Sequence, residues 1–335
     1  MKDDAVIITL AYPETIVMVA EEWYSKYLFR IGIGKRNYVR AGHAAMVLIN
    51  KARGVLEYHD FGRYITPEPY GRVRGRDTDA ELNFPLKATF ECDSISNLED
   101  ILKFLGTHPK LTHGEGKLVA SVCTAVNYNE ARTHISARQA EGFIYYAAFK
   151  KVACNCARFV TDALIAGVTD EKIKRKLIAS KRFTPSTVGN VVIADTENYI
   201  YQVSEAGEIS EYTDSVSKAN RRYFLDRLQQ HQPSFVGTLE PRENEEKQSH
   251  AQWLPGIAAG AWFELYDLGS ESEFRFRRIS PYANVDIDGV FTIEEQGFRY
   301  DLPYQFVQYS NCLFFHVEQE GKRYKFNFKD TYSPS

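Results

Sequence analysis

Residues 153–167 read ACNCARFVTDALIAG, and the fold turns on what the cysteines at 154 and 156 do there. Asn155 is a favoured helix N-cap. Phe159, Val160, Ala163 and Leu164 fall on one helical face, and Gly167 stands where a helix should stop. The pattern predicts an amphipathic helix beginning at or just after Asn155. Cys156 then lies in the first helical turn, where free amides and the macrodipole stabilise an anion and bias a thiol toward the reactive thiolate. Cys154, two residues earlier in extended chain, reads as a small buried side chain. A zinc site made from both cysteines with His43 and His59 is disfavoured, because one intervening residue falls short of the usual spacing of about two to four. No metal and no cofactor is expected.

A thiolate nucleophile needs a histidine beside it. His43 is the strongest candidate, since it opens the strand HAAMVLIN (43–50) directly after Ala41-Gly42, at a strand end next to a glycine loop. The turn KARG (51–54) and the run VLEYHDFGRYI (55–65) complete a β-hairpin. If Gly54 is the left-handed residue of a three-residue loop, Lys51 pairs with Val55, His59 lies across from Val47, and Glu57 lies across from Ile49. In that register His59, Glu57 and Phe61 share the face of His43. A four-residue loop moves the register by one and brings Asp60 and Tyr58 there instead. The expected orienting group is His59, with Asp60 and Glu57 as alternates.

The totals frame this reading. At 335 residues the chain exceeds the usual single domain, and with 44% hydrophobic and 25% charged residues it can bury a large core. A formal charge of −3 offers no global field for polyanions, so no nucleic-acid partner is expected. The start, MKDDAVIITLAYPET, lacks both halves of a secretory signal, and no run approaches the ~18 apolar residues of a membrane span. A cytoplasmic location without membrane association is the expectation. Five cysteines leave one unpaired in any scheme and are read as thiols, Cys92, Cys123 and Cys312 as structural ones.

Along the chain, AVIITLA (5–11) reads as a buried strand and ETIVMVAEEWYSKYLF (14–29) as a helix by its apolar spacing. FPLKATFEC (84–92) and the aromatic FIYYAAFKK (143–151) read as strands, and NLEDILKFLGT (97–107) as a helix capped by Asn97. VVIAD, YIYQVS and EISEY (within 191–212) suggest a small meander, followed by an amphipathic helix over 215–232. The polar segment 233–250 reads as a linker, and from Gln252 onward apolar and polar residues alternate between turn signals. Three regions result: an α+β domain over 1–205, a helix and charged linker over 206–250, and a small all-β domain over 251–335.

A histidine opening a strand, a polar residue on the next strand and a later N-C-x-x-F-V helix start resemble the circularly permuted papain-like superfamily. That superfamily includes lecithin:retinol acyltransferase-like enzymes and relatives of NlpC-type peptidases. The motif of the acyltransferase-like members, close to NCEHFV, is similar to NCARFV at 155–160. The resemblance covers roughly residues 1–205 and leaves the C-terminal β region outside. It implies a papain-like catalytic domain with Cys156 as nucleophile, His43 as general base and the second-strand residue, His59 at best, as orienter. The interval from His43 to His59 exceeds the acyltransferase-like spacing, which leaves Asp60 open as a replacement in that role. The implied activity is amide hydrolysis through an acyl-enzyme, with a peptide or small amide as substrate. Acyl transfer or lipid hydrolysis on the same fold is one alternative. The other is a non-catalytic binding protein that engages a partner through its β domain.

Around this core, Lys35, Arg36 and Arg40 precede the proposed base, and Arg40 is the best substrate contact among them. Tyr146, in the aromatic run with Phe143 and Tyr145, is a second; the amide of Cys156 is the expected oxyanion donor. Arg72, Arg74 and Arg76 alternate on an extended stretch and read as a solvated face or an anion grip. His108 and His113 read as inert loop residues.

Overall fold

Ala5–Tyr12 is buried along its whole length because its faces meet different apolar clusters, Ala5 and Ile7 on one side, Val6, Ile8 and Leu10 on the other. A strand covered on both faces reads as an unbroken apolar run. The structure is a computed structural model describing residues 3–333 apart from 20–21, 23, 36–37, 65, 67–68, 151, 232–240, 242, 257–258, 282, 294 and 309. Its architecture is mixed α+β followed by an all-β region. Two compact units divide the chain, residues 1–62 with 71–231, and 63–70 with 232–335.

In chain order the first part runs β1 (Ala5–Tyr12), β2 (Ile16–Met18), α1 (Ser25–Arg30), β3 (Tyr38–Arg40), β4 (His43–Asn50), β5 (Glu57–Gly62) and β6 (Tyr70–Arg74). It continues with β7 (Phe90–Glu91), β8 (Ser94–Ile95), α2 (Leu98–Thr107), α3 (Pro109–Thr112), β9 (Leu118–Val126), α4 (Tyr128–Ala140) and β10 (Ile144–Tyr145). Then come α5 (Cys156–Gly167), α6 (Glu171–Ser180), α7 (Thr187–Ala194), β11 (Tyr201–Val203), β12 (Ile209–Glu211) and α8 (Val216–Phe224). The main sheet has the order β10-β6-β5-β4-β1-β9-β11-β12. Helix α5 lays Phe159, Val160 and Leu164 on the face that carries Ala44, Met46 and Leu48. Helix α2 lays Ile101, Leu102 and Leu105 on the opposite face, against Ala45, Val47 and Ile49.

Several segments depart from the sequence expectations. The helix expected over 14–29 is confined to α1: a turn closed by Thr15 N–H to the Tyr12 carbonyl at 3.2 Å sends the β-branched Ile16 and Val17 into a ladder with β3. The strand expected over 84–92 survives only as β7. VVIAD lies mostly in α7 rather than in a strand, because Ser186 Oγ caps the Gly189 amide at 2.7 Å and Val188 and Val191 bury on the helix. FIYYAAFKK is a strand only over β10. Beyond it, Tyr146 keeps a single bridge to Cys154, after which the Arg158 guanidinium takes the carbonyls of Ala148, Lys150 and Ala153, and Glu22 takes the amides of Ala148 and Phe149. The helix read over 215–232 is the shorter α8, and most of the first half of the expected linker falls outside the described residues.

The second unit carries β13 (Gln252–Gly256), β14 (Ala259–Asp267), β15 (Glu273–Ile279), β16 (Val285–Ile293), β17 (Gln305–Val307), β18 (Phe314–Gln319) and β19 (Lys322–Thr331). They form one antiparallel sheet in the order β13-β14-β15-β16-β19-β18-β17, curled until its first and last strands approach each other like a nearly closed barrel. Alternation explains the closure: Phe274 and Phe276 of β15 point into a core with Phe291, Phe315 and Phe326, while Arg275 points outward to Asp288 and lies over the Tyr332 ring at 4.0 Å.

Gly54 ends the β4–β5 turn with φ +64°, and a Cβ there would sit 2.2 Å from the Ala88 carbonyl oxygen. Gly54→Ala is therefore expected to cost more than about 1 kcal/mol, read as a lowered urea midpoint at unchanged slope. An unshifted midpoint would contradict this account of the turn.

Candidate active site

The hairpin register decides which side chain meets His43. Val55 leaves the ladder to bridge Lys87, and the β4–β5 pairs are Ala45 with Asp60, Met46 with His59, Val47 with Tyr58 and Leu48 with Glu57. This is the register one residue away from the favoured expectation. Asp60, not His59, shares the face of His43. Gly42, at φ +75°, sets the approach: its amide bonds the Thr15 carbonyl at 3.0 Å, and a Cβ there would sit 3.1 Å from Pro13 Cα and from the Tyr12 carbonyl oxygen, a tight fit in a backbone conformation that favours glycine.

At the start of β4 the His43 Nε2 lies 3.0 Å from Asp60 Oδ2. Asp60 is fully buried and receives Arg74 in a two-pronged ion pair, Nε to Oδ1 at 3.0 Å and Nη2 to Oδ2 at 2.6 Å. Burial opposes ionisation of Asp60, but Arg74 and His43 outweigh it and hold the carboxyl well below the usual carboxylate range. Arg74 also donates to the Leu111 carbonyl at 3.2 Å, and the Tyr58 hydroxyl bridges Asp60 Oδ2 and the Thr112 carbonyl at 3.1 and 3.0 Å. Burial likewise pulls His43 down, yet its hydrogen bonds to Asp60 and to the Cys156 thiol win, and the ring is pushed up to about 9. The Tyr12 ring stacks on the imidazole at 6.4 Å between centroids, anchored by its hydroxyl on the Leu105 carbonyl at 3.0 Å.

Cys156 opens α5. Asn155 is in extended conformation and its side-chain oxygen accepts from the Arg158 amide at 2.9 Å, the cap anticipated from sequence. Cys156 is 8% exposed, at the helix end that carries the free amides. Cys154 differs: burial, partly offset by Arg138, pushes its thiol up to about 11. Among the described residues no three His, Cys, Asp or Glu side chains converge as a metal site, and no helix is long and apolar enough to cross a membrane.

His59 and Glu57 occupy the other face of β5, against α4. Glu57 accepts from the Tyr128 hydroxyl at 2.6 Å and pairs with Arg132 at 3.3 Å, and Arg132 also pairs with Asp77. His59 is fully buried, its Nδ1 3.3 Å from the Arg74 carbonyl, and burial with the Arg132 charge lowers it to about 4. Neither reaches His43 within the sheet. Arg40 is engaged by Asp226 at 2.9 Å and the Glu14 carbonyl at 2.7 Å, and Lys35 by the Gln229 carbonyl at 2.8 Å; Arg36 lies outside the described residues. Tyr146 stacks on Phe61 at 5.8 Å within the apolar cluster that includes Cys156. Of the arginine triplet, Arg72 forks onto Asp79 and Arg74 onto Asp60, so two of the three are ion-paired rather than solvated. His113, read as inert, sits close enough to this group that burial and Arg74 depress it well below the ordinary histidine value. Tyr58 comes to the site with the register of the longer loop, whereas no local signal in the sequence marks Tyr12 or His113, because strand and loop bring them from different elements.

Residues 7–173 match the family model described as type VI secretion system effector TseH-like, and residues 251–329 match a DUF6695 C-terminal domain. The crystal structure of TseH, a type VI secretion system effector, is similar to 64% of this chain and 100% of its own length, with 18% identity and a TM-score of 0.44. No curated protein matches the chain in sequence.

The two buried histidines move stability in opposite directions. His43, raised from 6.5 to about 9, stabilises the fold fully below about pH 6.5 and loses that contribution as pH rises through about 9. His59, lowered from 6.5 to about 4, leaves the fold untouched above about pH 6.5 and destabilises it as pH falls toward 4. Urea titrations across pH are expected to show the alkaline slope flattened in His43→Gln and the acidic slope flattened in His59→Gln. Unchanged slopes would contradict the assigned environments.

Proposed function

We propose that the first unit is a cysteine-dependent amide hydrolase of papain-like type, the permuted arrangement following from the chain order His43, Asp60, Cys156. The observation that carries the reading is the His43 ring, 3.0 Å from Asp60, its proton affinity raised by Asp60 and by the Cys156 thiol at a capped helix start. The Cys156 thiolate attacks the carbonyl carbon and the oxyanion accepts from the Cys156 amide. The His43 imidazolium gives its proton to the departing amine, leaving a thioester. His43 then takes a proton from water, whose oxygen displaces the sulfur as thiolate. Asp60 fixes the ring and offsets its charge, and Arg74 keeps Asp60 ionised and aimed. The effector family matched by residues 7–173 supports a site of action outside the producing cell in place of the cytoplasmic expectation.

A second reading, transfer or hydrolysis of an apolar acyl group, draws on Phe149, Val152 and Phe183, exposed on segments flanking Asn155. Phe149 and Phe183 meet edge to face at 6.1 Å. Turnover of N-acyl amides graded from acetyl to long-chain separates the two, since only the second reading expects a rise in kcat/KM with chain length.

Assaying a peptide and amide library with Cys156→Ala as the blank is expected to reveal hydrolysis that Asp60→Asn lowers by about two to four orders of magnitude. Activity retained in Cys156→Ala would end the proposal; the absence of any turnover, with no covalent adduct by mass spectrometry, would favour a non-catalytic binding protein.

A further inference from the structure

The outer side of α2 and the β11–β12 hairpin enclose an open groove of about 630 Å3, lined by Glu99, Lys103, Tyr199, Tyr201, Glu208 and Ile209. Tyr199 and Tyr201 meet edge to face, with centroids 4.6 Å apart and planes at 64°. Two rings so disposed form a corner that offers electron-rich faces to a cation.

The surrounding charge is mostly negative. Residues 195–214 contain six carboxylates and no lysine, arginine or histidine. Asp214 is paired with Lys218 and Arg222, whereas Glu205, Glu208 and Glu211 are exposed and make no ion pair among the described residues. Burial and then Asp195 push the Glu197 carboxyl upward, and the Tyr201 hydroxyl is raised by burial and then by Glu197 and its other neighbours. Lys103, 3.7 Å from Glu99, is the one cation lining the groove and offsets a single acid.

We propose that this groove binds a lysine side chain of a basic polypeptide segment lying along the edge of β12. An ammonium group fits the tyrosine corner with Glu99 and Glu208 as counter-charges. Glu205 lies in the β11–β12 turn, Glu208 at its close and Glu211 at the end of β12, so the acids are spread over the hairpin, a distribution that suits several cations rather than one free amine. β12 stands last in the sheet order, which leaves an edge able to accept an extended strand. Edge carboxylates also keep foreign sheets away, but that role requires neither the groove nor the aromatic corner. The site is separate from the proposed chemistry and stands whether or not Cys156 is a nucleophile.

Fluorescein-labelled octalysine titrated into the full chain at low salt, followed by polarisation, tests it. Saturable binding is expected, weakened tenfold or more in Glu99→Gln/Glu208→Gln and about threefold to fivefold in Tyr199→Ala, whose charge is unchanged. N-acetyl-lysine methylamide is expected to compete only at concentrations at least about a hundredfold higher. Circular dichroism melts confirm that these exposed substitutions leave the fold intact. Three results would overturn the proposal: no saturable binding, equal binding by Tyr199→Ala, or competition by the free amine at the same concentration as octalysine.

Discussion

A guanidinium buried at the end of β6 cannot shed its charge, so the structure around Arg74 must supply an anion. Asp60, its cross-strand partner, is that anion. Two of its contacts go to Arg74, and the oxygen nearer Arg74 Nη2 also receives His43 and the Tyr58 hydroxyl. β4, β5 and β6 thus all contribute to a single buried cluster in which Asp60 faces two cationic partners, and a slip of one residue in either ladder would strand a buried ion. Such a pair adds little net stability over an apolar substitute, yet breaking it leaves an uncompensated charge worth about 3–5 kcal/mol. The cluster fixes the register, and the register aims His43.

β5 serves two networks because its side chains alternate. Tyr58 and Asp60 face the α2 and α3 side, where the carbonyls of Leu111 and Thr112 close the cluster. Glu57 and His59 face α4, where Tyr128 and Arg132 hold them. Two histidines on neighbouring strands therefore end with opposite proton affinities, one hydrogen-bonded to a carboxylate, the other shut from water and within reach of the Arg132 charge. Cys154 and Cys156 both belong to one buried apolar cluster, and only Cys156 lies in a helical first turn.

The features readable from sequence were those set by local rules. Asn155, the periodicity of 159–164 and Gly167 placed α5, and alternation marked the region from Gln252 onward as all-β. His43 at a strand start after glycine was equally local. What local pattern could not resolve was the β4–β5 register, because it depends on Val55 turning away to Lys87, more than thirty positions downstream. The same limit hid Arg74 as the partner of Asp60 and made the pinned loop after β10 look like a strand, since the Arg158 and Glu22 contacts that hold it are contacts at a distance.

The central claim is that His43, held charged by Asp60, makes Cys156 unlike the other four cysteines. The most direct test is the iodoacetamide rate of each cysteine, resolved by peptide mass spectrometry from about pH 5 to 9, in the wild type and in Asp60→Asn. The account predicts selective modification of Cys156 at mildly acidic pH, lost in Asp60→Asn while Cys154 stays unreactive in both. Equal and slow labelling of all five thiols, or a Cys156 profile unmoved by Asp60→Asn, would contradict it.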